Sequence, residues 1–443
     1  MNISPEFQRN IWLELTLHRL IAMPAVLGGI VFIVYLAASN TSSSIYPAFS
    51  ATGFVLFFLI TIFWGTRLAA ESISSEIRDR TWDMQRMTAI SAWQMTWGKL
   101  FGSTIFTWYG ALISLAVYLY GAIGAQEGNI LKHTLLLIGT AVLVQAYAML
   151  TSLVSIQHSR TVTRTSSTIA VLLGIIVAFN IVGAITQEQT QSFQWYGSYY
   201  QIIDFVLASV LVFCFWAVFG VYRMLRHEFQ YRNSSFVWLT FVLFLAFYLA
   251  GMLPDSALND ERILTARFFI AFMVTLALVY VQIFMQNKDP VLIRKLLMDF
   301  KSGNWSQLTM QLPAWSTTVM LSTLFGIILL FREYQVIDLV FDGMNVRQQI
   351  VALLLFVYRD IAIVIYFNIA ASRKRSDTTA FIYLLILYFL LPGILSSLGF
   401  MDAAFFFNPF VPSGISVVGG LVQFAIISVL LVLRWRANAP PAK

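Results

Sequence analysis

The segment ESISSEIRDRTWDMQRMTAISAWQMTWGK, residues 71–99, is a charged interruption between two long apolar runs. Thr81 is a predicted helix N-cap, because its hydroxyl can accept an otherwise orphan backbone N–H. Ser91, with Gln94 three residues on, forms a capping-box pattern that starts a fresh helix. The pattern predicts a span that leaves the bilayer, a short helix lying at the surface, and a second span that returns. Such an element is a dock.

Composition sets the class. The chain of 443 residues is 59% hydrophobic and only 11% charged, with a mean hydropathy of +0.76. That is too apolar for a water-soluble surface. A helix needs about 20 apolar residues to cross the hydrocarbon core. Windows of that kind fall at Leu20–Ala38, Phe49–Leu68, Leu100–Ile123, Thr134–Ile156, Thr168–Ile185 and Ile202–Val221. Six more follow at Phe236–Leu253, Phe268–Phe284, Ala314–Phe331, Ile350–Ala371, Thr379–Leu398 and Ile415–Leu433. No alternating pattern of a transmembrane barrel is present. The expected fold is all-α, a polytopic helical membrane protein with about twelve transmembrane helices in two six-helix halves.

Basic residues set the orientation. If the spans alternate, about 22 of the 28 Lys and Arg fall on one side, which the positive-inside rule makes cytoplasmic. Both termini are then cytoplasmic. The net charge of +7 becomes a topology signal and not a sign of nucleic-acid binding. Bases beside the headgroups also attract anionic lipid. At the N-terminus, Ser4 as N-cap, Pro5 at the first helical position, and Phe7, Ile11 and Leu15 on one face predict an amphipathic interfacial helix in place of a cleavable leader. That helix serves either the mechanism or simple anchoring. The single Cys214 lies in an apolar span, so no intrachain disulfide forms.

The order of loops reads as a duplication, with a first half over 1–230 and a second over 231–443. In each half the longest cytoplasmic loop follows the second span, at 71–99 and at 287–313. The second loop keeps Asp289-Pro290, Lys295 and Trp305 but has no Gly-Lys pair.

The first loop resembles the coupling region of permease subunits of type-2 ABC exporters. In that family an acidic residue, a Thr, a short coupling helix, a Pro-apolar-Ser turn and a Gly-Lys pair follow at this spacing. Glu76, Thr81, Ile90-Ser91 and Gly98-Lys99 match, while position 89 is Ala where the pattern has Pro. The resemblance implies an ATP-driven permease of the bacterial cytoplasmic (inner) membrane. It would work with two copies of a separate cytoplasmic ATPase, and with further membrane or periplasmic subunits in some systems. ATP and Mg would sit on that ATPase. This chain lacks the phosphate-cradling Gly-x-x-x-x-Gly-Lys-Ser/Thr loop, since Gly98-Lys99 runs into Leu100 without the upstream Gly. The resemblance places the dock at Glu76, Arg78, Thr81, Trp82, Asp83, Met84, Arg86 and Met87, with Trp305 as its counterpart in the second half. Trp82, Met84 and Met87 would supply apolar contact and the charged residues register. It also implies short re-entrant outer helices at 187–200 and 400–412, where the aromatic residues equally suit an interfacial belt.

Polar residues inside spans mark a pathway or a structural pair. Arg359 and Asp360 are adjacent, about 100° apart on a helix, so each is expected to seek a partner on another helix rather than its neighbour. Gln145, Asn180 and Asn368 are the candidates. No metal or cofactor constellation and no assembled catalytic group are present, so an enzyme is not expected. Two other readings remain: a twelve-helix ion- or proton-coupled carrier using Arg359 and Asp360, and an ABC-like mechanotransmission subunit that moves no substrate.

Overall fold

The computed structural model describes residues 4–40, 44–88, 90–159, 192–231, 233–234, 236–255, 260–286, 288–332, 346–369, 376–411 and 413–438, with the single positions 174, 176, 179 and 183. Among them, nine helices are long and apolar enough to cross a bilayer. They are Leu17–Ser39, Tyr46–Arg78, Ile105–Gly124, Ile130–Ser155, Ile202–Glu228, Ile263–Met285, Val346–Asn368, Ser376–Ser397 and Gly414–Ala437. Two shorter apolar helices, Phe236–Ala250 and Ala314–Leu330, stand where the seventh and ninth spans are expected. The fifth expected span, Thr168–Ile185, falls outside the described residues apart from Gly174, Ile176, Phe179 and Gly183. Large apolar side chains such as Phe32 (59% exposed) and Ile33 (66%) point outward from these helices. Hydrocarbon is the solvent that such a surface requires, and helices satisfy their own backbone within it. The protein is an all-α polytopic membrane protein.

The chain divides into two compact units, one of residues 1–193 with 199–233 and the other of 194–198 with 234–443. In the first, the helix expected to end near Leu68 runs on to Arg78. Its polar end is self-sufficient. Ser72 and Ser75 donate to carbonyls three and four residues back, Arg67 pairs with Glu71 at 3.1 Å, and Ala69, Ala70 and Ile73 are buried. The return path is two helices, Ala92–Gly102 and Ile105–Gly124. Between them Ser103 and Thr104 donate their hydroxyls to the carbonyls of Lys99 and Leu100, both at 2.6 Å, a back-bonding that bends helices.

Small residues let these helices meet closely, as membrane interfaces require. A Cβ on Gly121 would lie 2.1 Å from Ser50 N, and one on Gly53 would lie 2.3 Å from Tyr118 N. The helix Leu17–Ser39 has two glycines of the other kind, since a Cβ on Gly28 or Gly29 meets nothing within 4 Å. The second unit packs around one large apolar core that includes Phe272, Phe325, Ile350, Leu353 and Val364.

Overpacking a tight contact costs about 1–3 kcal/mol or more. Gly121→Leu is therefore expected to lower the thermal midpoint of the detergent-purified protein, while Gly28→Leu leaves it unchanged. Equal midpoints for the two variants would refute the close contact.

Candidate functional site: the short helix after the second span and the buried polar networks

The helix Thr66–Arg78 stops in a 6→1, 5→2 pattern. Thr81 N–H donates to the Glu76 carbonyl at 2.9 Å and Arg80 N–H to that of Ile77 at 3.2 Å, with Arg80 left-handed at φ 59°. Glycine usually fills this position, so an arginine here carries backbone strain. The chain then enters the short helix Trp82–Arg86. Thr81 precedes it as expected, but its hydroxyl caps nothing. Thr81 has helical rather than extended backbone angles, and its Oγ1 donates backwards to the Glu76 carbonyl at 3.3 Å. The capping box is present: Gln94 N–H donates to Ser91 Oγ at 3.2 Å and Ser91 N–H to Gln94 Oε1 at 3.3 Å.

A cluster of charges lies beneath this helix. Lys99, 1% exposed, places Nζ 2.7 Å from Glu6 Oε1 and also contacts Glu76 Oε1. Arg9 reaches Glu76 at 2.7 Å and Glu6 at 3.3 Å, and Gln85 donates to Glu76 at 2.8 Å. The N-terminal helix Pro5–Glu14 therefore turns its polar face inward, with Glu6 and Asn10 buried and Trp12 84% exposed. Its apolar residues Phe7 and Ile11 are only half-buried. Close approach is possible because the facing helix has glycines: a Cβ on Gly98 would sit 2.9 Å from Glu6 Cβ, and one on Gly102 would sit 2.8 Å from Asn10 Nδ2. The Gly98-Lys99 pair thus has a physical role, space at one residue and charge at the next.

The expected docking residues separate into two sets. Glu76 is engaged in this cluster, and Trp82, 5% exposed, belongs to a core with Ile73, Met95, Leu153 and Leu225. Arg78, Thr81, Asp83, Met84 and Met87 are exposed, with Met84 at 72% and Met87 at 89%. Arg86 lies half-buried, 3.6 Å from Asp83. Trp305 opens the helix Trp305–Gln311 and is exposed, edge-on to Phe300 at 5.6 Å. The sequence reading missed Glu6, Asn10 and Gln85. The available signal was an acid and an amide four residues apart in a helix otherwise read by its apolar face.

Within the spans, Gln145 is fully buried. It donates to the Thr61 carbonyl at 3.2 Å and accepts from Trp108 Nε1 at 3.2 Å. Thr61 lies in a π-helical stretch, Leu59–Gly65, a departure from α-helical bonding that is frequent at functional sites. Asn180 lies outside the described residues. Asn368 sits at the end of its helix, donating to Asp377 at 2.8 Å, beside Lys288, which pairs with the same carboxylate at 2.8 Å. Burial pushes the Lys288 ammonium below its usual range, and Asp377 partly opposes that.

The adjacent pair does what its helical angle argued against. Arg359 Nε donates to Asp360 Oδ1 at 2.8 Å, with Nη2 2.6 Å from the same oxygen. The long arginine stem curls over its own helix to reach its neighbour. Each group also has partners elsewhere, as expected, but different ones. Tyr280 and Tyr388 each donate to Asp360 Oδ2 at 2.6 Å, and Arg359 Nη1 donates to Gln423 Oε1 at 2.5 Å. The guanidinium also lies 4.4 Å from the Phe356 ring centre and 4.8 Å from that of Tyr388. At the outer segments, residues 192–201 form a hairpin of strands Ser192–Trp195 and Ser198–Gln201, not the re-entrant helix expected there. Tyr196 (φ 47°) and Gly197 (φ 78°) make its turn, both left-handed as a two-residue hairpin loop demands. The later segment contains a short helix, Met401–Phe405.

No protein-family model, characterised protein or solved structure matches this chain.

Removing one member of a buried ion pair typically costs about 3–5 kcal/mol. Lys99→Met is expected to lower the melting temperature sharply, and Glu6→Gln added to it to recover part of the loss, because Arg9 still faces Glu76. Additive losses in the two single variants and the double would dissolve the cluster argument. In the second unit, Asp360→Asn is expected to destabilise more than Tyr388→Phe, since the first strands a buried guanidinium and the second removes one hydrogen bond. A reversed order in thermal unfolding would contradict the assignment.

Proposed function

We propose that the chain is the membrane permease subunit of an ATP-driven ABC transporter of the exporter kind, housed in the bacterial cytoplasmic membrane with both termini inside. The observation that supports this most is the helix Trp82–Arg86. Its outward side offers Asp83 and Met84, and Met87 follows, while Trp82 anchors it in a core built from span residues. A separate ATPase would grip the exposed methionines, which adapt to irregular grooves, with Asp83 and Arg78 setting register. A second copy would meet the other half near Trp305. ATP and Mg belong to those partners, and ATP hydrolysis takes place there. Movement of the ATPase pair would pull on a helix wedged by Trp82 and held by the Lys99 cluster, and so would tilt the spans.

The ion-coupled carrier is the second reading. What favours it is the buried set of Arg359, Asp360, Tyr280 and Tyr388, a group of titratable side chains at membrane depth. Affinity purification of the tagged chain from its native membrane separates the two. The ABC reading expects an ATPase to copurify in the wild type and to be depleted, about tenfold, by Asp83→Lys with Met84→Ala and Met87→Ala, since hot-spot truncation costs about 1–2 kcal/mol or more. Thermal stability of that exposed-site variant should be unchanged. A variant that retains its ATPase in full would overturn the dock, and a wild type without any ATPase whose cellular activity collapses with the proton gradient would favour the carrier.

A further inference from the structure

The second unit carries an apolar helix face that the neighbouring helix Trp305–Gln311 covers only in part. Between the spans ending at Met285 and beginning at Ala314 lie the helices Pro290–Lys301 and Trp305–Gln311. The first is capped by Asp289, whose side chain accepts from Val291 N–H at 3.1 Å, and has Pro290 at its first position. At 100° per residue, Leu292, Ile293, Leu296, Leu297 and Phe300 share one arc; Arg294, Lys295 and Lys301 lie outside it with Val291 and Met298, and Asp299 flanks it beside Leu292. Only Pro290 of this helix is buried. Leu297 is 50% exposed and Phe300 is 59% exposed. In water the exposed part of that arc would be a liability, since Trp305 meets it only edge-on at Phe300.

We propose that the helix Pro290–Lys301 lies along the membrane surface, with the Leu292–Phe300 arc among the acyl chains and Arg294, Lys295 and Lys301 against anionic headgroups. Three observations choose lipid over a protein groove. The helix is tethered at both ends to membrane helices, through 286–289 on one side and, beyond the second helix, Leu312 and Pro313 on the other. Such short leashes keep it at the interface. Its base is fixed as well, because Lys288, buried beside Asp377, ties the start of the helix to the first turn of Ser376–Ser397. Finally, its charge suits an anionic surface. Three bases face one acid along the helix, and none of the three bases has an ion-pair partner among the described residues. Apolar area and basic residues together are what hold an in-plane helix on anionic lipid. The short helix of the first unit has neither a long apolar arc nor this composition, so the two cytoplasmic segments meet different partners.

The test needs only this chain. In a Cys214→Ser background, which removes the sole cysteine, Leu297→Cys and Lys295→Cys are labelled with an environment-sensitive fluorophore and reconstituted in nanodiscs of phosphatidylcholine with or without phosphatidylglycerol. The label at 297 should be quenched by nitroxide-bearing lipid and shielded from acrylamide, and the label at 295 should behave in the opposite way. Phosphatidylglycerol should deepen the difference. Exchange of two of the three bases, Arg294→Glu and Lys301→Glu, in the Leu297→Cys protein should weaken seating about fivefold or more per base, read as recovered acrylamide quenching in a preparation that stays monodisperse. Equal acrylamide access at 297 and 295 in both lipids would overturn the proposal. Shielding at 297 that arises only on adding a copurified ATPase would also overturn it, and would assign the face to a protein. Because no ATPase is needed for the expected result, failure of the dock and failure of this surface are separable.

Discussion

One ammonium, that of Lys99, holds together three segments that are distant in sequence. Glu6 comes from the N-terminal helix, Glu76 from the end of the second span, and Lys99 from the return helix. Burial makes this arrangement demanding. Charges removed from water recover the loss only with good geometry and additional donors, which Arg9 and Gln85 supply. The consequence runs outward from there. The N-terminal helix must turn its polar face to the protein, which leaves Trp12 and Leu13 facing out. The return helix must have glycine where Glu6 and Asn10 press on it. The strained arginine turn at Arg80 directs the chain so that Trp82 drops into the core and Gln85 meets Glu76. The position of the short helix is therefore a consequence of electrostatics below it more than of its own propensity, since five residues are too few to hold a helix unaided.

The second unit handles its charges by a different solution. Arg359 and Asp360 pair with each other, and two tyrosines and a glutamine add further hydrogen bonds. In hydrocarbon the alternative to a protein partner is an unsatisfied group, so such networks close on themselves. Gln145 in the first unit follows the same rule with a neutral amide that donates to the Thr61 carbonyl within the π-helical stretch. These two networks tie helices together within their own units, and from sequence each reads equally as a pathway or as a structural pair, because polarity inside a span is visible while its partner is not.

That difference between what is visible and what is not explains the rest of the comparison. The spans could be read because twenty apolar residues are a local property, and eleven of the twelve expected windows coincide with described helices. The capping box at Ser91 and Gln94 could be read for the same reason, being complete within four residues. Thr81 failed as a cap because the preceding helix ends in a motif that consumes the local geometry, and that motif uses an arginine in a glycine position, which no composition rule anticipates. The adjacent pair Arg359-Asp360 failed because helical angles describe where side chains start and a long stem decides where they finish. Glu76 and Trp82 lay in the right segment, yet their inward direction depends on Arg9, 67 positions away, and on Phe229, and contacts at such range leave no local trace.

The two polar segments between spans, at 71–99 and 287–313, taken each within its own unit, differ in how they would carry force. In the first, the short helix is held at its middle by Trp82 and at its flank by a buried ion cluster, so a displacement of Met84 must move side chains that belong to spans. Stiff packing transmits strain because interiors have little free volume to absorb it. In the second, the helix Pro290–Lys301 buries only Pro290 and is fixed chiefly at its base through Lys288. A load applied along it would be shared with whatever surface it rests on before reaching the spans.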